Sequence, residues 1–301
     1  MDRVKRLIHC ERAYKAGLSG KRVTVAVMDT GAAPHPDFSN RIVAFRDFCG
    51  KRISMYDDNG HGTHVAGIIG GNGSRSKDDR GRYRYAGIAP KVEYEILKVL
   101  DQKGNGVTSH VLEGVDWLLH NREKYGIRIL NISVGMLPSA GKIEREALLY
   151  AVDAVWDSGI AVISAAGNNG PGENTVTIPG ISRKVITVGS LDDEVVPTER
   201  AGKLMKGYTG FGPTECCIVK PEILAPGTNI TSCAKDGTYT VKSGTSMAAP
   251  VVSGALALAL ERHPDWLPAD LKLRLYESAY PRGEQIGRKC WGILHTDNLI
   301  Q

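Results

Sequence analysis

The stretch Val23-Thr24-Val25-Ala26-Val27-Met28-Asp29-Thr30-Gly31 decides the fold. Six apolar or β-branched residues in a row, without the alternation of a half-exposed strand, predict a strand buried on both faces over Val23–Met28. Such strands occur in parallel sheets covered by helices. Similar runs recur at Ile96–Leu100, Ile127–Val134, Ile160–Ala165 and Val185–Val188, and helical periodicity separates them at Ser109–Lys124 and Ile143–Ser158. Strand and helix in alternation predict an α/β architecture, a three-layer α/β/α fold with a mainly parallel central sheet. A late surface helix is expected over Leu267–Ala279, with Pro268 at its start. There is no internal repeat, low-complexity linker or break in composition, so residues 1–301 are read as one domain.

The strand opening the pattern ends in a carboxylate, Asp29. In open parallel sheets, function gathers beyond the carboxyl ends of the strands. Two further segments suit that place. Asn59-Gly60-His61-Gly62-Thr63-His64-Val65-Ala66-Gly67 carries a glycine-flanked histidine into a small-residue helix, and Gly244-Thr245-Ser246-Met247-Ala248-Ala249-Pro250 puts a serine on a tight turn before an apolar helix. Taken singly, each has a plain structural reading as a turn or a helix cap. Together they supply carboxylate, base and nucleophile in the order Asp, His, Ser, and a serine hydroxyl becomes a useful nucleophile only when a base takes its proton.

Composition sets the outer limits. The chain has 301 residues, 42% hydrophobic and 24% charged, with 38 Lys+Arg against 33 Asp+Glu and a net charge of +5. These values exclude a disordered chain and leave material for a large core. The basic run Arg75, Lys77, Arg80, Arg82 and Arg84, interrupted by Asp78 and Asp79, reads as a solvated loop, and no nucleic-acid partner is expected. Met247–Leu260 is too short to cross a bilayer, and no signal peptide follows the basic N-terminus, so no membrane association is expected. Cys10, Cys49, Cys216, Cys217, Cys233 and Cys290 form no disulfide framework and contain no CxxC pair. Reduced thiols and a cytoplasmic location are expected, export by a non-classical route being the alternative, and a cysteine zinc motif is not.

The three segments resemble, over nearly the whole chain, the catalytic blocks of the subtilisin-like serine proteases, and in detail those of bacterial intracellular members. The resemblance implies a serine endopeptidase with Asp29, His61 and Ser246 as its triad. It implies that Asn168, in Ala165-Ala166-Gly167-Asn168-Asn169-Gly170, donates to the oxyanion. An extended peptide or protein substrate would lie between Gly104-Asn105-Gly106 and Ser133-Val134-Gly135. The primary pocket would be walled by Ser133–Gly135 and Ala165–Gly167, with Thr177 at its base. Without an acidic residue there, a broad or apolar-leaning specificity is expected (Leu, Met, Phe or Ala before the scissile bond), and Thr177 is expected to shorten the pocket. His64 is read as structural. No cofactor is expected to be required. Calcium is admitted as a structural ion on the strength of Asp37, which matches one family ligand, although the usual loop partners are missing from Gly70–Arg84. No separate pro-domain is recognisable, so restraint by an inhibitory partner is a further expectation.

Overall fold

A computed structural model describes residues 1–133, 135, 141–192, 194–195, 206–214, 218–281 and 290–301. Two short helices, α1 (Asp2–Leu7) and α2 (Glu11–Lys15), lead into β1 (Thr24–Asp29), whose six residues are all buried. There follow β2 (Ile42–Asp47), α3 (His61–Gly70), β3 (Glu93–Lys98), α4 (Thr108–Tyr125), β4 (Ile127–Ile132), α5 (Lys142–Asp157), β5 (Ala161–Ala165) and β6 (Ile186–Ser190). The last part holds β7 (Ile223–Ala225), β8 (Ile230–Cys233), β9 (Tyr239–Lys242), α6 (Thr245–Arg262), α7 (Pro268–Ser278), β10 (Gly292–Ile293) and α8 (Thr296–Leu299).

Eight strands form one parallel sheet in the order β10-β7-β6-β5-β4-β1-β3-β2, and β8 and β9 form a separate antiparallel hairpin. One apolar cluster joins β1, α3 and α6 on one face of the sheet; a second joins it to α4 and α5 on the other. The expected three layers are therefore present. Helix α6 is buried along nearly its whole length. Its sequence is accordingly apolar on all sides rather than amphipathic. Among the described residues, no helix is long and apolar enough to cross a membrane.

The strand order creates the site. After β1 the chain places β2 at the sheet edge, returns to insert β3 between β2 and β1, then crosses over to add β4 on the other flank of β1. Asp29 thus ends a strand at which the direction of winding reverses, and such a reversal opens a crevice between the diverging connections. In the β1–β4 ladder Met28 lies opposite Ile132, so Asp29 and Ser133 leave the sheet side by side.

One expectation shifts, and that for the basic run holds. The third strand of the sheet runs over Glu93–Lys98, not Ile96–Leu100, because it pairs from Thr24↔Glu93 to Asp29↔Lys98. The basic run is a surface loop in which Arg82 and Arg84 pair with Asp78. Among the described residues, Cys10, Cys49 and Cys233 are free thiols, while Cys216 and Cys217 lie outside the described residues.

Candidate active site

Asp29 is fully buried and accepts from the Thr30 amide at 2.7 Å. Its carboxylate faces His61 Nδ1, with Oδ1 at 2.8 Å and Oδ2 at 3.0 Å. A carboxylate can only accept, so Nδ1 carries the proton and Nε2 keeps a lone pair for a substrate-side proton. Burial works against charging His61, but the charge and hydrogen bond of Asp29 outweigh it, and the imidazole's pKa is raised. Lys242 opposes this rise by its own positive charge.

What holds His61 in place was not foreseen from the sequence. Asp57 accepts from the amides of Asn59 (3.1 Å), Gly60 (2.7 Å) and Thr63 (2.9 Å) and from the hydroxyls of Thr30 (2.9 Å) and Thr63 (2.6 Å). Burial pushes its carboxyl up, yet these donors together hold it below the usual aspartate range. It therefore satisfies orphan amides at the start of α3 and links that helix to the residue after Asp29. The signal was present, since an Asp four residues before the histidine is typical helix-start chemistry. Lys98, also buried, donates to the carbonyls of Thr30 (2.7 Å) and Leu100 (2.8 Å) and pairs with Asp58 at 2.8 Å, which pins the turn behind Asp29.

His64 behaves as expected. It is buried, and its Nε2 lies 3.1 Å from the Ile230 carbonyl and 3.2 Å from that of Thr240. Burial lowers its pKa to about 3, so it is a neutral tie between α3 and the β8–β9 hairpin.

Ser246 lies in the first turn of α6, where backbone amides have no intrahelical acceptor. Its hydroxyl donates to the Ser133 carbonyl at 2.7 Å. Beside it, Asn168 Oδ1 accepts from the Thr245 amide at 2.9 Å and the Thr245 hydroxyl at 3.2 Å. With the oxygen held, the amide group must present Nδ2 outward as a donor. Gly244 lies against that Nδ2: a Cβ there would stand 3.3 Å from it, and φ of 142° is itself a conformation reserved for glycine. Thr245, which orients the amide, was not singled out in the sequence.

The substrate-side segments are also assembled. A cavity of about 210 Å³ is lined in part by Gly104, Gly106, Val111, Ile132, Gly135 and Leu148, which places the two expected strand segments on one wall system. Asn105 closes its loop by exchanging hydrogen bonds with Asp101 (2.8 and 2.9 Å). Ala165 and Ala166 are buried, and the Ala166 carbonyl accepts from the Thr177 amide at 2.9 Å. Thr177 is wedged between the walls: a Cβ on Gly135 would stand 2.7 Å from Thr177 Cβ, and one on Gly167 would stand 2.5 Å from Thr177 Cγ2. Val134 lies outside the described residues.

The subtilase family model matches residues 20–295. The chain belongs to the subtilase family. Among its relatives, the serine protease AprX of Bacillus subtilis is 39% identical over 292 residues, which cover 90% of this chain and 65% of AprX. Subtilisin DY of Bacillus licheniformis is 33% identical over 281 residues, covering 92% of this subtilase and 91% of that relative. The crystal structure of a cold adapted subtilisin-like serine proteinase superposes with a TM-score of 0.74 at 31% identity, covering 93% of this chain and 90% of that one.

Many subtilases carry structural calcium, and Asp37 was the expected ligand here. The residues around it do not fit that ion. Asp37 Oδ1 accepts from the Ser74 hydroxyl (3.2 Å) and the Arg75 amide (3.0 Å), and Oδ2 from the Tyr239 phenol (2.8 Å) and the Cys233 thiol (3.6 Å). Calcium needs six to eight oxygen ligands. This carboxylate is met instead by an amide, a hydroxyl, a phenol and a thiol, a set poor in the carboxylate and carbonyl oxygens that calcium takes, so the calcium reading of Asp37 does not fit the residues around it.

Proposed function

We propose that this subtilase is a serine endopeptidase that accepts a small side chain before the scissile bond and an apolar one further toward the substrate's N-terminus. The observation carrying the reading is the hydrogen bond between buried Asp29 and His61, with Ser246 at the head of α6 donating to the carbonyl of Ser133, which leaves the sheet next to Asp29. Substrate backbone lies along Gly104–Gly106 and Ser133–Gly135 as an added strand. The Ser246 hydroxyl leaves the Ser133 carbonyl, turns to His61 Nε2 and attacks the substrate carbonyl as the imidazole takes its proton. Asp29 keeps the imidazole oriented and stabilises its charged form. The oxyanion takes hydrogen bonds from Asn168 Nδ2 and the Ser246 amide. The proton then passes to the leaving amine, and water releases the acyl group from Ser246 by the reverse sequence.

Specificity follows from the walls. Thr177 fills the floor between Gly135 and Gly167, and on this reading the pocket admits alanine or serine in preference to Leu, Met or Phe, narrower than the sequence-based expectation. The nearby cavity of about 210 Å³, lined by Val107, Val111, Ile132, Leu148 and Ile178, takes the apolar side chain. Cleavage-site profiling on a denatured proteome tests both points. Small residues should dominate before the scissile bond, and Thr177→Gly should raise kcat/KM for Leu and Phe there by about 10- to 100-fold, the usual worth of one or two methylenes in a pocket. A preference for Phe in the unaltered enzyme, or for Arg, contradicts the reading.

A further inference from the structure

Behind α3, three side chains distant in sequence converge. His35 and Asp37 sit on the loop after β1, and Cys233 ends β8, 196 residues beyond Asp37. All three are buried, and one donor atom from each, an imidazole nitrogen, a carboxylate oxygen and the thiol sulfur, lie within 4.8 Å of one another. Cys233 Sγ is 3.6 Å from Asp37 Oδ2, and His35 Nδ1 is 3.9 Å from Asp37 Oδ1.

We propose that His35 Nδ1, the Asp37 carboxylate and Cys233 Sγ bind a thiophilic divalent cation of the zinc class, with the Tyr239 phenol or a water as fourth ligand. Tetrahedral zinc has bonds of about 2.0–2.3 Å, which requires ligand atoms about 3.3–3.8 Å apart, so donors that lie within 4.8 Å of one another must draw together by at most about 1.5 Å. His35 Nε2 lies 3.0 Å from the Thr238 carbonyl and donates its proton there, leaving Nδ1 deprotonated and turned toward Asp37. A carbonyl on the far nitrogen is the support that metal-bound imidazoles commonly have. A thiolate and a carboxylate together neutralise a 2+ ion, which a buried site requires. Thiol and imidazole also favour zinc over calcium or magnesium. Room for a side chain is absent on the α3 side, since a Cβ on Gly67 would stand 2.8 Å from Cys233 Sγ. Binding releases the Cys233 thiol proton to solvent. It also breaks the hydrogen bond that His35 Nδ1 accepts from the Asp37 amide at 3.1 Å. The inference is independent of proteolysis, because none of the three residues belongs to the catalytic group.

The test uses the full chain carrying Ser246→Ala, reduced and free of oxygen, with Co²⁺ as an optical probe. One equivalent should bind with a thiolate-to-cobalt charge-transfer band, and Zn²⁺ should displace it and raise Tm. Cys233→Ser should abolish the band and weaken Zn²⁺ binding about 100-fold or more, and His35→Gln should weaken it while keeping the band. No band, a band persisting in Cys233→Ser, or a Tm raised by Ca²⁺ but not by Zn²⁺ overturns the proposal. Should Cys233→Ser fail to fold, a pulse of alkylating reagent in mild denaturant reads the same site without altering it. Zn²⁺ should then protect Cys233 selectively; equal protection of Cys10, Cys49 and Cys290, or none at Cys233, is the contrary result.

Discussion

Glu95 sits in β3 opposite Ala26 of β1 and Ala44 of β2, wholly buried, with neither carboxylate oxygen hydrogen-bonded. Burial pushes its carboxyl from the ordinary 4.5 up to about 8, so near neutral pH the native protein holds a proton there that the unfolded chain releases. The native state binds more protons between those two values, so stability must fall as pH rises through the window. Each unit of pH within it costs about 1.4 kcal/mol. Allowing for the curvature at both ends, the loss from pH 5 to pH 7.5 comes to about 3 kcal/mol, a large part of a typical domain's stability. Glu95→Gln keeps the shape and removes the titration. In a Ser246→Ala background, which suppresses self-digestion, urea unfolding of both proteins at pH 5 and pH 7.5 isolates the effect. The Gln variant should gain about 3 kcal/mol relative to the parent across that interval, whatever their difference at pH 5. Parallel profiles would show that Glu95 is solvated or paired in solution, and the reasoning would fail.

Three other outcomes follow. The acidic limb of kcat/KM should lie above the ordinary histidine value of about 6.5, because catalysis needs neutral His61 and Asp29 raises its pKa. Lys242→Met removes a charge that opposes this rise, so the limb should move to higher pH with the maximal rate nearly unchanged; a shift to lower pH contradicts the electrostatic account. Because an amide, a hydroxyl, a phenol and a thiol meet Asp37 rather than the oxygen ligands calcium takes, chelating calcium should leave Tm within a few degrees of its starting value, and a collapse would expose a calcium site elsewhere.

The buried strands and long helices were legible because apolar runs and 3.6-residue spacing survive in the sequence. β2 was not, since Ile42–Asp47 is largely half-exposed at the sheet edge and includes Arg46 and Asp47. The β8–β9 hairpin was missed for the same reason: Tyr239–Lys242 is half-buried throughout. Asp29, His61, Ser246 and Asn168 stood out through their glycine-rich settings, and each lies just beyond a strand end or at a helix start. Asp57, Thr245 and Lys98 did not, because they act through hydrogen bonds to backbone and side chains that only the folded chain brings near. The His35–Asp37–Cys233 cluster joins the loop after β1 to the end of β8, 196 residues further on, beyond the reach of any spacing rule. Asp37 itself was legible as a ligand position, but not its present partners.

The central claim is that Ser246 is the nucleophile, activated by His61 and held by Asp29. Its most direct measurement is stoichiometric labelling with a serine-directed phosphonylating reagent, read by peptide mass spectrometry alongside hydrolysis of an Ala-containing peptide. The account predicts one label per chain, on Ser246, with activity lost in proportion. Labelling should slow by on the order of 10³-fold or more in His61→Ala, a scale set by triad mutations in subtilisin itself rather than by this structure. A label elsewhere, or full hydrolysis by Ser246→Ala protein, would contradict it.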